Sequence, residues 1–226
     1  MFSRTLKASL MLLALALSTG CHEGSQSEPS ATYPSEPAVI EFFVAPEIEP
    51  PDPTLRVDDL RREFHRDGPD IAGRPSMRWL PLKDIEHWDS DVPPGIHEKR
   101  FTDPPTYFKV THGLIVEVHD NRPYMLVFAA EGMCMTHDGA DQWAIVSAAR
   151  TVDHLNGLAI RFRFDEAGAR LFGPVARESE DWRLATVVDG QVIAAGHMSR
   201  WRVPDSSTLV AAFPEQEIDA LLRRVR

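Results

Sequence analysis

Residues 157–172 have the sequence GLAIRFRFDEAGARLF, and residues 184–195 have the sequence LATVVDGQVIAA. In the first stretch, apolar Ile160, Phe162 and Phe164 alternate with arginines. Alternation at every second residue predicts a strand with one buried and one solvated face. Gly157, at its start, supplies the conformational freedom of a turn before that strand.

A helix and a hairpin are predicted directly after this strand. Asp165 is a residue type that caps helix N-termini, and an apolar side follows at Ala169, Phe172, Val175 and Ala176. Asp189-Gly190 separates two apolar runs, which is a strong sequence signal for a two-residue hairpin turn. Gly168 and Gly190 are interpreted as backbone requirements rather than as parts of a site.

The same criteria predict elements on either side. Strands are expected at 39–44, 114–118, 124–129, 145–152 and 158–164, with a short helix at 55–64 and a last helix that begins at Pro214. Residues 65–106 have no clear period, and the apolar residues expected to hold them to the core are Met77, Trp79, Leu80, Leu82, Ile85 and Trp88. Hairpins with helices between them predict an α+β fold with an antiparallel-rich sheet.

Composition narrows the range of functions. The chain of 226 residues has 24 basic and 34 acidic residues, for a formal net charge of −10. A charge of this sign argues against nucleic acid as a partner. The two cysteines also argue against a disulfide scaffold, so the fold must depend on its apolar core.

The N-terminus has the pattern of an export signal. Arg4 and Lys7 precede the apolar run LMLLALAL at 10–17, which is too short to span a bilayer. Small residues at 18–20 then precede Cys21, which resembles the lipobox of bacterial lipoproteins, although Ser18 stands where leucine is usual. We predict a lipoprotein signal peptide at 1–20 and lipid attachment at Cys21, with a plain secretory signal as the alternative.

Three segments are therefore expected: the signal peptide, a flexible Ser-, Glu- and Pro-rich tether at 21–37, and a single domain at 38–226. The lipid would hold the protein to a membrane of the cell envelope, facing the periplasm. His22 stands where some bacteria use aspartate for inner-membrane retention, which favours the outer membrane, but the sequence leaves both membranes open.

The stretch 135–195 resembles the first periplasmic domain of the protein-export subunit SecD, particularly its head. The shared pattern is the turn Gly157, the alternating strand, Gly168-Ala169 before Phe172, and Leu184-Ala185 before the Asp189-Gly190 hairpin. Weaker similarities at Val39–Phe42, Met135-Thr136 and Phe213–Glu215 extend the resemblance over most of 38–226.

The resemblance implies a SecD head-like fold and a role with exported polypeptides, but no enzyme. SecD places this domain between membrane helices that couple export to the proton gradient, and the present sequence has no such helices to which that step could be transferred. It also departs from the family at Ala195-Gly196, where Ala-Pro is usual, and at Arg177–Ser179, where the helix end is usually rich in threonine.

The residues themselves indicate no catalytic, metal or cofactor site. The nine histidines lack the spacing of a zinc protease, and nucleotide-binding and nucleophile-elbow motifs are missing. Met133, Cys134, Met135 and His137 could together bind Cu(I), but packing explains them better. His112 and His119 lie at odd separation on either side of a predicted strand, so their side chains are expected to point to opposite faces of it and not to bind one metal ion together.

The sequence therefore predicts a non-catalytic exported lipoprotein. As a protein-export accessory, its partners would be exported or unfolded polypeptides or translocon subunits, bound through an exposed apolar patch or an open sheet edge. The alternative is a structural envelope lipoprotein that uses the same fold to bind an unrelated partner or a glycan. An enzyme would require a histidine and a carboxylate gathered in one pocket.

Overall fold

A computed structural model describes residues 36–47, 56–69, 76–88, 94–139, 142–152, 157–178, 182–197, 208–213 and 215–225. The chain divides into two units, Met1–Pro34 and Ser35–Arg226, and every described residue belongs to the second unit. The predicted signal peptide, Cys21 and most of the predicted tether therefore lie outside the described residues.

The domain contains both strands and helices. In chain order its elements are β1 (Ile40–Ala45), α1 (Val57–Asp67), β2 (Met77–Pro81), a 3-10 turn (Ile85–His87), α2 (Pro94–His97), α3 (Lys99–Thr102), α4 (Pro104–His112), β3 (Val116–His119), β4 (Arg122–Phe128), β5 (Cys134–Met135), β6 (Ile145–Val152), β7 (Leu158–Phe164), α5 (Glu166–Glu178), β8 (Arg183–Val188), β9 (Gln191–His197), β10 (Thr208–Ala212) and α6 (Glu215–Arg224). All pairings between these strands are antiparallel. The predicted antiparallel α+β fold class is confirmed.

The first sheet has the strand order β5–β1–β8–β9. Its strand β1 is buried on both faces, because Phe42 packs in one apolar cluster and the next residue, Phe43, packs in another. A strand covered on both sides has no need for polar residues at alternate positions. This explains the nearly continuous apolar run of IEFFVA.

The second sheet, β2–β4–β3, meets the first at two points. A parallel bridge joins Leu82, after β2, to Val192 in β9, and an antiparallel bridge joins Glu47, after β1, to Leu114, before β3. The two bridges close β1, β8, β9, β2, β4 and β3 into a ring. A shared apolar cluster unites its elements, and includes Phe43, Ala45, Leu82, Trp88, Tyr107, Phe108, Leu114, Val116, Met125, Val127, Ala185, Val187 and Val192.

The third sheet has the order β10–β7–β6 and packs with α5 and α6 on the other side of β1. Phe162 and Phe164 from β7 and Phe172 from α5 surround Phe42, with ring centroids 5.7 to 6.1 Å from its own. Ile218 of α6 joins the same cluster. Within the described residues, no helix combines the length and apolar character needed to cross a membrane.

Several predicted boundaries are wrong by a few residues. The first helix spans 57–67 rather than 55–64, and the strand predicted at 124–129 is β4, Arg122–Phe128, so that the turn before it is shorter than predicted. The turn consists only of Asp120 and Asn121, both left-handed with φ of 49° and 60°. Asparagine and aspartate tolerate this conformation, so two residues suffice to reverse the chain.

The segment without a predicted period, 65–106, contributes β2 and three short helical turns. Three of its expected core residues, Trp79, Leu82 and Trp88, are indeed buried. The other three, Met77, Leu80 and Ile85, are half-buried at the edges of the apolar clusters.

Candidate functional site

β6 is the outer strand of the third sheet, and seven of its eight residues pair with β7 on one side. No described strand lies on its other side. The side chains of Val146 and Val152 are 58% and 57% exposed, and Ser147 and Ala149 are exposed between them. An outer strand presents unpaired main-chain N–H and C=O groups to any extended chain that approaches it.

Proteins usually block such edges with charges, prolines or short strands. β6 has no proline, and its single charged residue, Arg150, reaches α6, where its Nη2 lies 2.8 Å from Asp219 Oδ1. Val146 is an extra residue in the register with β7, which makes a local bulge at one end. In the part of the chain that the structure describes, no strand pairs with the outer side of the rest of β6.

The other edges of the described sheets offer less room. β5 has only two residues, and β10 lies beside β9. The ends of the second sheet are tied to the first by the bridges at Leu82 and Leu114. β6 is thus the longest strand with an open side in the described part of the chain.

Two arginines lie on the solvated face beside this edge. In the register of β7 against β6, Arg163 is opposite Ser147 and Arg161 is opposite Ala149. The Nη2 atom of Arg161 lies 3.5 Å from Thr151 Oγ1, so its guanidinium extends over β6. Neither arginine has a carboxylate partner among the described residues.

The predicted strand, helix and hairpin of 157–195 form in that order as β7, α5 and β8–β9. Gly157 directly precedes β7, while residues 153–156, which would complete the turn predicted before this strand, lie outside the described residues. Asp165 caps α5: its Oδ1 accepts a hydrogen bond from Gly168 N at 2.7 Å. Phe172 is fully buried, and Ala169 is half-buried.

Gly168 is packed too tightly for any side chain. A Cβ atom at this position would lie 2.9 Å from Phe164 Cβ and 3.2 Å from Met135 Cε. The glycine therefore allows α5 to approach β5 and the end of β7.

The β8–β9 turn does more than reverse the chain. Asp189 and Gly190 both have positive φ, 51° and 75°, as a type I′ turn requires. The Asp189 carboxylate also accepts a hydrogen bond from Val39 N at 3.1 Å and lies 2.7 Å from Arg224 Nη2. This turn thus connects the start of β1 to the end of α6. Ala185, another residue of the predicted hairpin, is buried within β8.

Two clusters of ion pairs that join distant elements were not predicted from the sequence. Glu47 Oε1 lies 2.9 Å from Arg183 Nε and 3.1 Å from His197 Nε2. Glu117 Oε1 lies 2.6 Å from Arg61 Nε, and its Oε2 lies 3.0 Å from His65 Nε2. No local sequence pattern could have indicated these contacts, because each glutamate is far in the chain from its partners.

Each of these clusters brings a histidine and a carboxylate together, and an enzyme would require such a pair in one pocket. In each cluster, however, a guanidinium already contacts the carboxylate, and each histidine is largely exposed. This is the arrangement of a structural ion-pair cluster that joins elements.

His112 is enclosed by aromatic rings at the end of α4. Its ring centroid lies 5.6 to 5.9 Å from those of Trp88, Tyr107 and Phe108. Burial, with the Arg183 guanidinium nearby, lowers the pKa of His112 to about 4. Its buried Nε2 has no hydrogen-bond partner in the described structure, and His119 packs elsewhere, against Phe64.

The structure separates the residues considered for Cu(I). Met135 packs in the apolar cluster around Phe42. Cys134 lies on the opposite face of the first sheet, against the apolar cluster that the first and second sheets share. His137 stacks on Trp143, with centroids 4.2 Å apart. Burial raises the pKa of the Cys134 thiol, and thiolate is the form that binds metal.

The described residues contain no group of three or more His, Cys, Asp and Glu side chains suited to holding a metal ion.

Trp79, Trp88 and Trp143 are buried, and Trp182 is half-buried with its ring edge against Phe128. Among these residues the tryptophans do not form an exposed binding patch, so the β6 edge is the stronger candidate for a contact with another chain.

No protein-family model matches the chain, and no curated protein matches it. Among solved structures, it is similar to SecDF, described as a membrane component that enhances protein export, with a TM-score of 0.39 and 18% identity over 85% of this chain and 63% of that chain. It is also similar to SecDF in its super-membrane-facing form, with a TM-score of 0.38 and 19% identity over 84% of this chain and 19% of that chain. The chain thus spans less than two thirds of either SecDF chain.

Proposed function

We propose that this protein is a non-catalytic, lipid-anchored accessory of protein export that binds extended segments of exported polypeptides on the outer side of β6. One observation carries the proposal: an eight-residue edge strand whose outer side meets no described strand and whose only charge is drawn away to α6.

Strand addition suits a binding partner without a fixed sequence. Most of the contact would be made by main-chain hydrogen bonds, which every polypeptide can supply. The exposed Val146 and Val152 would add apolar contact near the two ends of the strand. Such an edge would accept an unfolded chain but not a strand that is already paired on both sides.

The setting of the proposal comes from the sequence. The signal-like N-terminus and Cys21 support export and lipid attachment, and the resemblance of 135–195 to the SecD periplasmic domain supports a role near the export machinery. The described structure has the strand, helix and hairpin order that this resemblance requires.

Site-specific photocrosslinking in cells tests the proposal. A photoreactive amino acid would replace Val146 in the intact protein and, in a matched control, Val110, which is equally exposed at 58% but lies on α4. We expect Val146 to yield crosslinks to many incompletely folded exported proteins or to translocon subunits, and Val110 to yield few.

Two results would overturn the proposal. A single abundant envelope partner at Val146, without exported proteins above background, would favour the structural lipoprotein. Equal crosslinking from Val146 and Val110 would mean that the β6 edge has no special role. A parallel Cys21→Ser form, which cannot be acylated, tests whether crosslinking requires the lipid.

A further inference from the structure

The solvated face beside the open edge carries a charge pattern that bears on which polypeptide segments it accepts. Arg161 and Arg163 lie two residues apart on β7, both exposed, in a chain with a formal net charge of −10. Most other arginines with described surroundings contact a carboxylate, such as Arg150 with Asp219. These two do not within the described residues.

The residues between these arginines and the open edge are small. Ser147 and Ala149 on β6 stand opposite Arg163 and Arg161. Neighbouring strands are about 4.8 Å apart, and long side chains reach diagonal neighbours across a strand pair. The 3.5 Å contact of Arg161 Nη2 with Thr151 Oγ1 shows this guanidinium already extended over β6.

A chain added beside β6 would place every second side chain on this same face. Its carboxylates would meet the two guanidinium groups, which bind carboxylates with two parallel hydrogen bonds. On the opposite face, α6 lies beside β6, with the Arg150–Asp219 contact between them. One face beside the edge therefore has two exposed arginines, whereas α6 covers the other face.

We propose, resting on the polypeptide-binding function above, that Arg161 and Arg163 make the β6 edge selective for extended segments with acidic residues two positions apart. The preference opposes the charge of the whole protein, which repels acidic peptides. An acidic preference would therefore arise from local contacts, such as those of these two side chains, rather than from long-range attraction.

Fluorescence anisotropy with labelled ten-residue peptides tests this selectivity. The peptides would consist of Val and Thr with two Glu residues two positions apart, and otherwise identical peptides would carry Gln or Lys there. Exposed ion pairs are individually weak, so we expect the Glu peptide to bind about three- to tenfold more tightly than the Gln peptide, and the Lys peptide most weakly. The Glu preference should shrink as salt is raised.

A double variant, Arg161→Gln with Arg163→Gln, should lose the preference for Glu while binding the Gln peptide as the parent does. The matched control is Arg122→Gln with Arg177→Gln, two exposed arginines that also lack a carboxylate partner among the described residues. The control should keep the full preference.

The outcomes separate this inference from the proposed function. If the Gln peptide binds but the arginine variants keep the order Glu, Gln, Lys, the edge binds polypeptide and the assigned selectivity is wrong. If no peptide binds, the proposed function fails with it. If the variants instead lose binding only to phosphatidylglycerol vesicles, the arginines recognise lipid headgroups and the peptide selectivity is overturned.

Discussion

At the residue scale, the sharpest packing constraint is at Gly168. Alanine favours a helix over glycine by about 1 kcal/mol, but its methyl group here would lie 2.9 Å from Phe164 Cβ, an atom held by the core. Overpacking of this kind costs roughly 1 to 3 kcal/mol. We expect Gly168→Ala to lower the free energy of unfolding in urea by about 1 to 2 kcal/mol.

Gly95 in α2 provides the matched control. A Cβ atom at Gly95 would meet no other atom within 4 Å. Gly95→Ala should leave the free energy of unfolding unchanged or raise it by up to about 1 kcal/mol. Equal effects of the two substitutions would contradict the close approach of α5 to β5.

His112 makes the stability of the fold depend on pH. The unfolded chain takes up a proton on this histidine near pH 6.5, whereas burial and Arg183 delay its protonation in the fold until about pH 4. The unfolded state therefore binds more protons between these values. The contribution of His112 is fully present above pH 6.5 and is lost as the pH falls towards 4, by about 3 kcal/mol at most.

Substitution by phenylalanine keeps an aromatic ring among Trp88, Tyr107 and Phe108 but removes the titrating group. We expect His112→Phe to show a weaker loss of unfolding free energy between pH 6.5 and 4 than the parent. Burial raises the pKa of Glu41, which acts in the opposite direction, but this group is common to both proteins. Parallel pH profiles for the two proteins would refute the assignment to His112.

At the scale of elements, the β8–β9 hairpin fastens both ends of the described domain. Asp189→Asn keeps the tolerance of a left-handed backbone and an oxygen for Val39 N, but it removes the charge facing Arg224. This should cost about 0.5 to 1 kcal/mol. Asp189→Ala also loses the hydrogen bond and the turn preference, and should cost about 2 kcal/mol or more.

The graded loss would be measured by urea unfolding of the parent and both variants. If Asp189→Asn were as destabilising as Asp189→Ala, the charge would carry the whole effect. If both were neutral, the turn would not fasten β1 to α6 at all.

The same elements show how far local sequence can predict this fold. The strand, helix and hairpin between 145 and 195 follow from alternation, a capping aspartate and a turn dipeptide, all of which are local signals. β2, β5 and β10 depend on distant partners instead: Trp79 pairs with Leu126, and Met135 pairs with Phe42. Short segments of this kind carry no periodic signal of their own.

The candidate site was predictable only in part for the same reason. The alternation of Arg161 and Arg163 with apolar residues indicates a strand with a solvated face. Only the sheet order identifies β6 as the outer strand, with small residues between the arginines and the open edge. Strand order depends on contacts across the whole domain, which no window of sequence contains.

At the scale of the whole molecule, the described sheets differ in how their outer strands are covered. Two bridges join the first and second sheets into a ring around an apolar cluster. The third sheet shares β1's other face but ends at β6, without a described strand beyond it. In the proposed function, stability comes mainly from the shared core and binding takes place at this outer strand.

Backbone amide hydrogen exchange tests that division most directly. The exchange of β6 would be compared with that of β4 and β9, in the free protein and with a reduced, alkylated polypeptide that cannot fold. Amides that point away from β7 should exchange quickly in the free protein and at least about tenfold more slowly with the polypeptide bound, because they gain main-chain partners. Protection that appears elsewhere, or nowhere, while β6 exchange stays unchanged would contradict the central claim.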